Sequence, residues 1–219
     1  MISERPADWK AKLAVYAITD DREDTTSLLA AVEAVLAGGA TAIQLRRKRE
    51  DGGPMLALGL EIRRMTREAG ALYIVNDRVD IALLTEADGI HVGQTDIPCT
   101  RVRELAPEKL IGVSARTIAE AIAAERDGAD YLGVGAVFPT ATKADAVHSG
   151  IDTLRAIAAT SSIPIVAIGG IDVARAPQVL AAGADGLAVV SAMMSAPSPR
   201  QAAEAFASLY RDFDNARPH

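Results

Sequence analysis

Four stretches decide the fold: GGATAIQL (38–45), EADGIHVG (86–93), GADYLGVG (128–135) and GADGLAVV (183–190). The first, third and fourth set a helix-stopping glycine just before a short apolar run, and the second is a looser copy. A glycine ends a helix because it adopts the left-handed backbone cheaply. The run that follows is too short for a helix and suits a buried strand. Working outward from these copies, the runs are Leu13–Ile18, Thr41–Leu45, Leu72–Val75, Gly89–Val92, Leu110–Val113, Tyr131–Val134, Ile165–Ile168 and Leu187–Val190. They lack a polar/apolar alternation, as expected of parallel strands covered on both faces. Eight runs in 219 residues leave about 27 per unit, the scale of one strand and one helix.

The segments between them carry helix signals. Leu28, Leu29, Val32, Val35 and Leu36 share one face, and Gly38 and Gly39 stop that helix. Thr117 with Glu120 predicts a capping box for a helix ending near Gly128, and Ser198-Pro199 predicts the start of the last helix. The interval after the third run is too short for a long helix, so Val79–Leu84 is expected to be a clipped one. Repeated βα units close into a barrel or open into a doubly wound sheet. Eight strands, no early G-x-G-x-x-G turn and the placing of the polar residues favour an α/β fold, a single-domain (β/α)8 TIM barrel. It is expected over residues 13–213, after an extension of residues 1–12 and before a tail of residues 214–219.

Composition excludes several classes. A net charge of −6 argues against a general basic surface for nucleic acid. The only cysteine, Cys99, leaves no intramolecular disulfide and no cysteine-based zinc site. The apolar runs are far below membrane-spanning length, and MISERPADWK does not read as a signal peptide, so the cytoplasm is expected.

In a parallel barrel the chemistry collects where strands end. The second strand runs into Gln44-Leu45-Arg46-Arg47-Lys48 and the third into Asn76-Asp77-Arg78. The fourth leads to His91, Gln94 and Asp96, the fifth ends at Ser114, and the sixth opens into the loop of Thr140, Thr142 and Lys143. The seventh delivers Gly169-Gly170 and the eighth Ser191. Arg46–Arg49 reads as a solvated charge run unless strand alternation continues; then Gln44, Arg46 and Lys48 face the mouth and Arg47 and Arg49 the surface. Asp77 and Asp96 suit a turn and a cap, or a magnesium site of two carboxylates completed by water and phosphate oxygens. Glycines after the seventh strand and a polar residue after the eighth can present N–H groups to a phosphate. Lys143 is either solvated or closes over a bound anion. His91 reads as a satisfied core residue, and neither His148 nor His219 points to a role. No serine, histidine and acid combination suggests a hydrolase triad.

The strings YAITD, GGATAIQLRRK, VNDRVDIA, ADGIHVGQTD, IGVSART, YLGVGAVFPTATKADA, VAIGGI and GADGLAVVSA together resemble the thiamine-phosphate synthases over nearly the whole chain. The joint presence of VNDR, HVGQTD and FPTATK is the specific part; AIGGI alone is common among phosphate-binding barrels. The resemblance implies a magnesium-assisted reaction of two small-molecule substrates, a pyrimidine diphosphate and a thiazole phosphate, in a homodimer. It implies that Gln44, Arg46, Lys48, Asn76 and Lys143 contact the diphosphate, Asp77 and Asp96 hold Mg²⁺, and Ser114 lies beside the pyrimidine and the departing group. Ser114 and Lys143 are the catalytic candidates. Thr140, Thr142, Gly170, Val190 and Ser191 are implied to hold the thiazole phosphate. A thiazole tautomerase of the same fold is expected to use a histidine where this chain has Arg116, and an arginine that stays protonated is a poor proton shuttle.

Overall fold

A computed structural model of the chain describes residues 6–139 and 149–216. Eight parallel strands close into one barrel in chain order. They are β1 (Val15–Ile18), β2 (Ala42–Leu45), β3 (Leu72–Asn76), β4 (Gly89–Val92), β5 (Leu110–Ala115), β6 (Tyr131–Val134), β7 (Ile165–Ile168) and β8 (Gly186–Val189). Around them run α1 (Thr25–Ala37), α2 (Gly52–Ala69), α3 (Val79–Leu84), α4 (Cys99–Leu105), α5 (Ile118–Arg126), α6 (Gly150–Ala158), α7 (Ala176–Ala181), α8 (Ser191–Met194) and α9 (Pro199–Ala216). This is the expected α/β barrel of one domain. Small boundary differences matter only where a side chain changes address. Leu13 and Ala14 fall before β1, Asn76 and Ser114 lie inside their strands, and α9 runs past residue 213.

The helices form for local reasons. α1 starts at Asp24, whose carboxylate accepts the Thr26 N–H at 3.0 Å, and it buries Leu28, Val32 and Val35. α5 starts at Thr117, whose hydroxyl accepts the Glu120 N–H at 3.1 Å. The Glu120 carboxylate reaches back to the N–H of Arg116 at 2.6 Å, one residue earlier than the reciprocal bond of a capping box. The clipped helix after β3 spans Val79–Leu84, as expected.

The repeated strings have a structural meaning beyond their glycines. Asp88, Asp130 and Asp185 each donate the backbone N–H to the carbonyl of Tyr73, Ile111 and Ile165, at 2.8, 2.7 and 2.8 Å. The carboxylate of each then accepts the N–H of that same residue, at 2.8, 2.8 and 2.9 Å. In the first copy Thr41 takes the place of the aspartate: its N–H donates to Val15 and its hydroxyl accepts the Val15 N–H at 2.9 Å. Four clamps therefore join β1 to β2, β3 to β4, β5 to β6 and β7 to β8 where the strands enter the barrel. Backbone groups that the ladder leaves unpaired at the strand starts are satisfied there. Arg63 and Arg103 support two of the clamp carboxylates, at 2.8 Å to Asp88 and 2.5 Å to Asp130.

Alternation along the strands sorts the core into two layers. Val15, Ile43, Leu45, Tyr73, Val75, Leu132, Ile165 and Leu187 face the helices. Tyr16, Ile18, Ala42, Leu72, Ile74, Leu110, Tyr131, Val166 and Ala188 fill the barrel, with Trp9 of the expected N-terminal extension packed on that cluster. Large residues sit beside small ones: Tyr16 is in register with Ala42 and Ala188, and Tyr131 with Gly112. Among the described residues no helix is long and apolar enough to cross a membrane.

Candidate active site

The C-terminal ends of the strands open into one pocket. Gln44, Arg46, Asn76, His91 and Ser114 line one side, with Arg116; Gly169, Gly170, Val190 and Ser191 line the other. Tyr16 and Tyr131 form part of the floor. The expectation that polar residues from different strands converge on one mouth holds for these residues.

A hydrogen-bonded chain underlies the floor. The Gln44 amide donates to the Tyr16 hydroxyl at 2.9 Å, and the Tyr16 and Tyr131 hydroxyls are 3.0 Å apart. The Tyr131 hydroxyl lies 3.2 Å from His91 Nδ1, and His91 Nε2 lies 3.0 Å from Ser114 Oγ. Gln44 is only 3 % exposed and His91 9 %, so each bond is made away from bulk water, where a missing partner would be costly. Burial pushes both tyrosines above their ordinary range, which keeps them protonated donors. His91 is satisfied, as expected, but by a catalytic candidate and within the pocket wall. The two tyrosines were missed from the sequence, because an aromatic inside an apolar strand reads as core.

The cationic side is smaller than strand alternation suggests. β2 ends at Leu45, so the in–out rule stops there. Arg46 lines the pocket, with its backbone N–H held by the Thr19 hydroxyl at 2.9 Å. Lys48 is exposed and lies outside the pocket lining. Arg47, expected at the surface, instead has its side chain turned inward: the side chain is 5 % exposed, 3.5 Å from Glu50, and its guanidinium donates to the Arg22 carbonyl. That arginine braces the loops after β1 and β2. Nearby, Asp20 accepts from Nε and Nη2 of Arg22, at 2.7 and 2.6 Å, and from the Ser195 hydroxyl at 2.9 Å. Burial works to raise the Asp20 pKa, but those bonds outweigh it and hold the carboxyl below its usual range.

Asp77 and Asp96 follow the neighbouring strands β3 and β4. Asp77 has φ = 60°, a left-handed conformation that aspartate tolerates better than most residues. Its N–H is fixed on the His91 carbonyl at 2.9 Å. Asp96, expected as a cap, instead closes a turn by accepting the Gly93 N–H on Oδ2 at 2.8 Å, while Pro98 precedes α4. That bond occupies one carboxylate oxygen. Among the described residues no group of three or more His, Cys, Asp or Glu is placed to hold a metal by itself. A pair of carboxylates fits Mg²⁺, which keeps waters and takes the rest of its shell from substrate phosphates.

Gly169 and Gly170 have φ = 101° and 64°. A Cβ on Gly170 would lie 2.6 Å from the Pro139 carbonyl and 2.8 Å from Phe138 Cβ, so this turn is closed to larger residues. Beside it Val190 leads into α8, a single short turn starting at Ser191. The first N–H groups of such a turn have no carbonyl of their own helix to bond. Glycines after the seventh strand with a short extra helix after the eighth make the phosphate end of many barrels of this type. Thr140, Thr142 and Lys143, and His148, lie outside the described residues.

Fold and pocket thus define a (β/α)8 barrel of the phosphate-handling class. A sequence profile described as "Thiamine monophosphate synthase" matches residues 15–193. The chain is 50 % identical over 204 residues to the thiamine-phosphate synthase of Chloroflexus aurantiacus, covering 92 % of this chain and 93 % of that protein. It is 55 % identical over 174 residues to that of Moorella thermoacetica, covering 78 % and 83 %. The solved structure of thiamine phosphate pyrophosphorylase from Pyrococcus furiosus superposes with a TM-score of 0.86 at 42 % identity, covering 94 % of this chain and 98 % of that one. The chain belongs to the thiamine-phosphate synthase family.

Proposed function

We propose that the chain joins hydroxymethylpyrimidine diphosphate to hydroxyethylthiazole phosphate, giving thiamine phosphate and pyrophosphate. The carrying observation is that one pocket has a cationic, amide-bearing wall at Gln44, Arg46 and Asn76 and a glycine–serine cradle at Gly170, Val190 and Ser191. Two phosphorylated substrates need two such ends.

The bond between the pyrimidine methylene carbon and the diphosphate oxygen breaks, and its electron pair leaves with pyrophosphate. The aminopyrimidine ring feeds electrons into that carbon, and the thiazole nitrogen then supplies the lone pair for the new C–N bond. No general base is needed, which fits a pocket whose histidine is held between Tyr131 and Ser114. Arg46 and Asn76, with Lys48 and Lys143 from the adjoining loops, neutralise and orient the diphosphate by fixed charges and dipoles. Gln44 gives one amide N–H to Tyr16 and keeps the remainder of its amide for the substrate. Ser114 donates to the departing group. Thr140, Thr142, Gly170, Val190 and Ser191 hold the thiazole phosphate. Asp77 and Asp96 would hold Mg²⁺, which when bound offsets charge on the diphosphate. The loop of Lys143 excludes water from the exposed carbon. The family resemblance implies a homodimer, and the cytoplasm is the expected compartment.

The test is a product assay with purified protein, both substrates and Mg²⁺, beside a control without the thiazole phosphate. Acceptor-dependent thiamine phosphate is expected. Binding of both substrates with no product would make the chain a regulator, and Mg²⁺-independent isomerisation of a carboxylated thiazole phosphate would make it a tautomerase.

A further inference from the structure

The chain Gln44–Tyr16–Tyr131–His91–Ser114 is continuous from one wall of the pocket to the other, and nothing in the proposed reaction uses its middle members. Space is cleared for it. A Cβ on Gly112 would lie 2.5 Å from His91 Nδ1 and closer still to the Tyr131 ring, and one on Gly133 would lie 2.7 Å from His91 Cε1. Two interior strand positions are therefore kept without side chains so that an imidazole and a phenol can meet edge to edge; their ring centroids are 5.6 Å apart at 39°. A hydrophobic pair would fill that space more simply, and a buried polar network is tolerated only when every member is satisfied.

The chain also has a direction. Gln44 meets Tyr16 through its amide nitrogen, which only donates. Tyr16 therefore accepts there and gives its proton to Tyr131. Tyr131, already accepting, gives its own to His91 Nδ1. A neutral imidazole that accepts at Nδ1 carries its proton on Nε2, and that proton goes to Ser114 Oγ. Ser114, accepting from His91, has its hydroxyl proton left for the pocket. The backbone of Ser114 is pinned as well, its carbonyl accepting the Gln94 amide at 2.6 Å.

We propose that Tyr131, with Tyr16 and His91, is a positioning relay that fixes the tautomer of His91 and so makes Ser114 a donor aimed at the departing diphosphate oxygen. The proposal rests on the synthase reading for what Ser114 faces, whereas the polarity of the relay rests on the orientation of the Gln44 amide. A Gln44 amide turned the other way would reverse every bond, put the His91 proton on Nδ1 and make Ser114 donate to His91, leaving only its lone pairs for the pocket. The two cases are therefore distinguishable without any substrate.

The first test is nitrogen NMR of the histidine rings, with the His91 signals assigned by their loss in His91→Gln. The relay requires a proton on Nε2 and a bare, hydrogen-bonded Nδ1. A proton on Nδ1, or on both nitrogens, overturns it. The second test is kinetic. Tyr131→Phe keeps the ring and removes the hydroxyl; kcat should fall about tenfold, the size of one hydrogen bond to a charged group. KM for both substrates should stay within about twofold, as for an interaction made in the transition state. In a Ser114→Ala background the same change should cost nothing further, because the relay acts only through that hydroxyl. Equal losses in both backgrounds would make Tyr131 a packing residue and overturn the proposal. If the parent chain makes no thiamine phosphate, the synthase reading fails while the tautomer result still decides the direction of the chain.

Discussion

At the entry end of the barrel, four corresponding side chains do one job. Thr41, Asp88, Asp130 and Asp185 each clasp the backbone of the preceding strand with one N–H donated and one accepted. At the exit end the strands deliver dissimilar groups to one pocket: the carboxamides of Gln44 and Asn76, the imidazole of His91, the hydroxyl of Ser114, the bare backbone of Gly169 and the apolar side chain of Val190. Uniformity suits a task that is identical at each strand pair, namely satisfying peptide groups where the chain enters the sheet. Diversity suits a task that is different at each point of an asymmetric substrate pair. The barrel separates stability from chemistry along its axis, and the separation can be attacked from either end.

The largest expected effect is at the exit end. Asp77→Asn, which keeps a residue tolerant of the left-handed backbone, should lower kcat/KM on the order of a thousandfold, as loss of a key electrostatic group does, with the melting temperature unchanged. Near-normal turnover at limiting Mg²⁺ would remove Asp77 from the metal site. Next is Asp130→Ala at the entry end, which strips the Ile111 N–H and Arg103 of a partner. That should cost about 3 kcal/mol, or roughly 6–12 °C in melting temperature for a chain of this size. Its kcat, per folded molecule, should match the parent, and a large fall in kcat would break the division. Thr41→Val removes a neutral hydroxyl from the same kind of clamp and should cost about 1 kcal/mol, read from denaturant midpoints.

The smallest effect belongs to Asp20, which sits at the exit end yet serves as a strut between Arg22 and Ser195. Its carboxyl is held below the usual range, so its contribution is complete above the unfolded carboxylate value and is lost as pH falls through the folded one. Asp20→Asn should therefore melt slightly below the parent at neutral pH, and the gap should close on acidification. A gap that widens in acid would show that the pair does not stabilise the fold.

The strands were legible because burial on both faces leaves an apolar run that no other element of that length explains, and the glycine of each GAD copy marks the preceding helix end. The aspartate in those copies was not legible as a clamp: a lone Asp before a strand fits any turn, and only the register shows which N–H it accepts. At the site, Arg46, Asn76, Ser114, Gly170 and Ser191 were readable from their place at strand ends. Arg47 was misplaced because alternation was carried past Leu45, where the strand stops. Tyr16 and Tyr131 were hidden by their chemistry, since a tyrosine in an apolar run announces its ring and not its hydroxyl. His91 was read as satisfied without its partners, which come from strands that only the closed barrel brings together.

The most direct test of the exit-end assignment is phosphorus NMR of one reaction containing the chain, both substrates and Mg²⁺. Pyrophosphate and thiamine phosphate should appear in equal amounts, and only when the thiazole phosphate is present. Pyrophosphate released at the same rate without the acceptor, or no thiamine phosphate at all, would contradict that assignment.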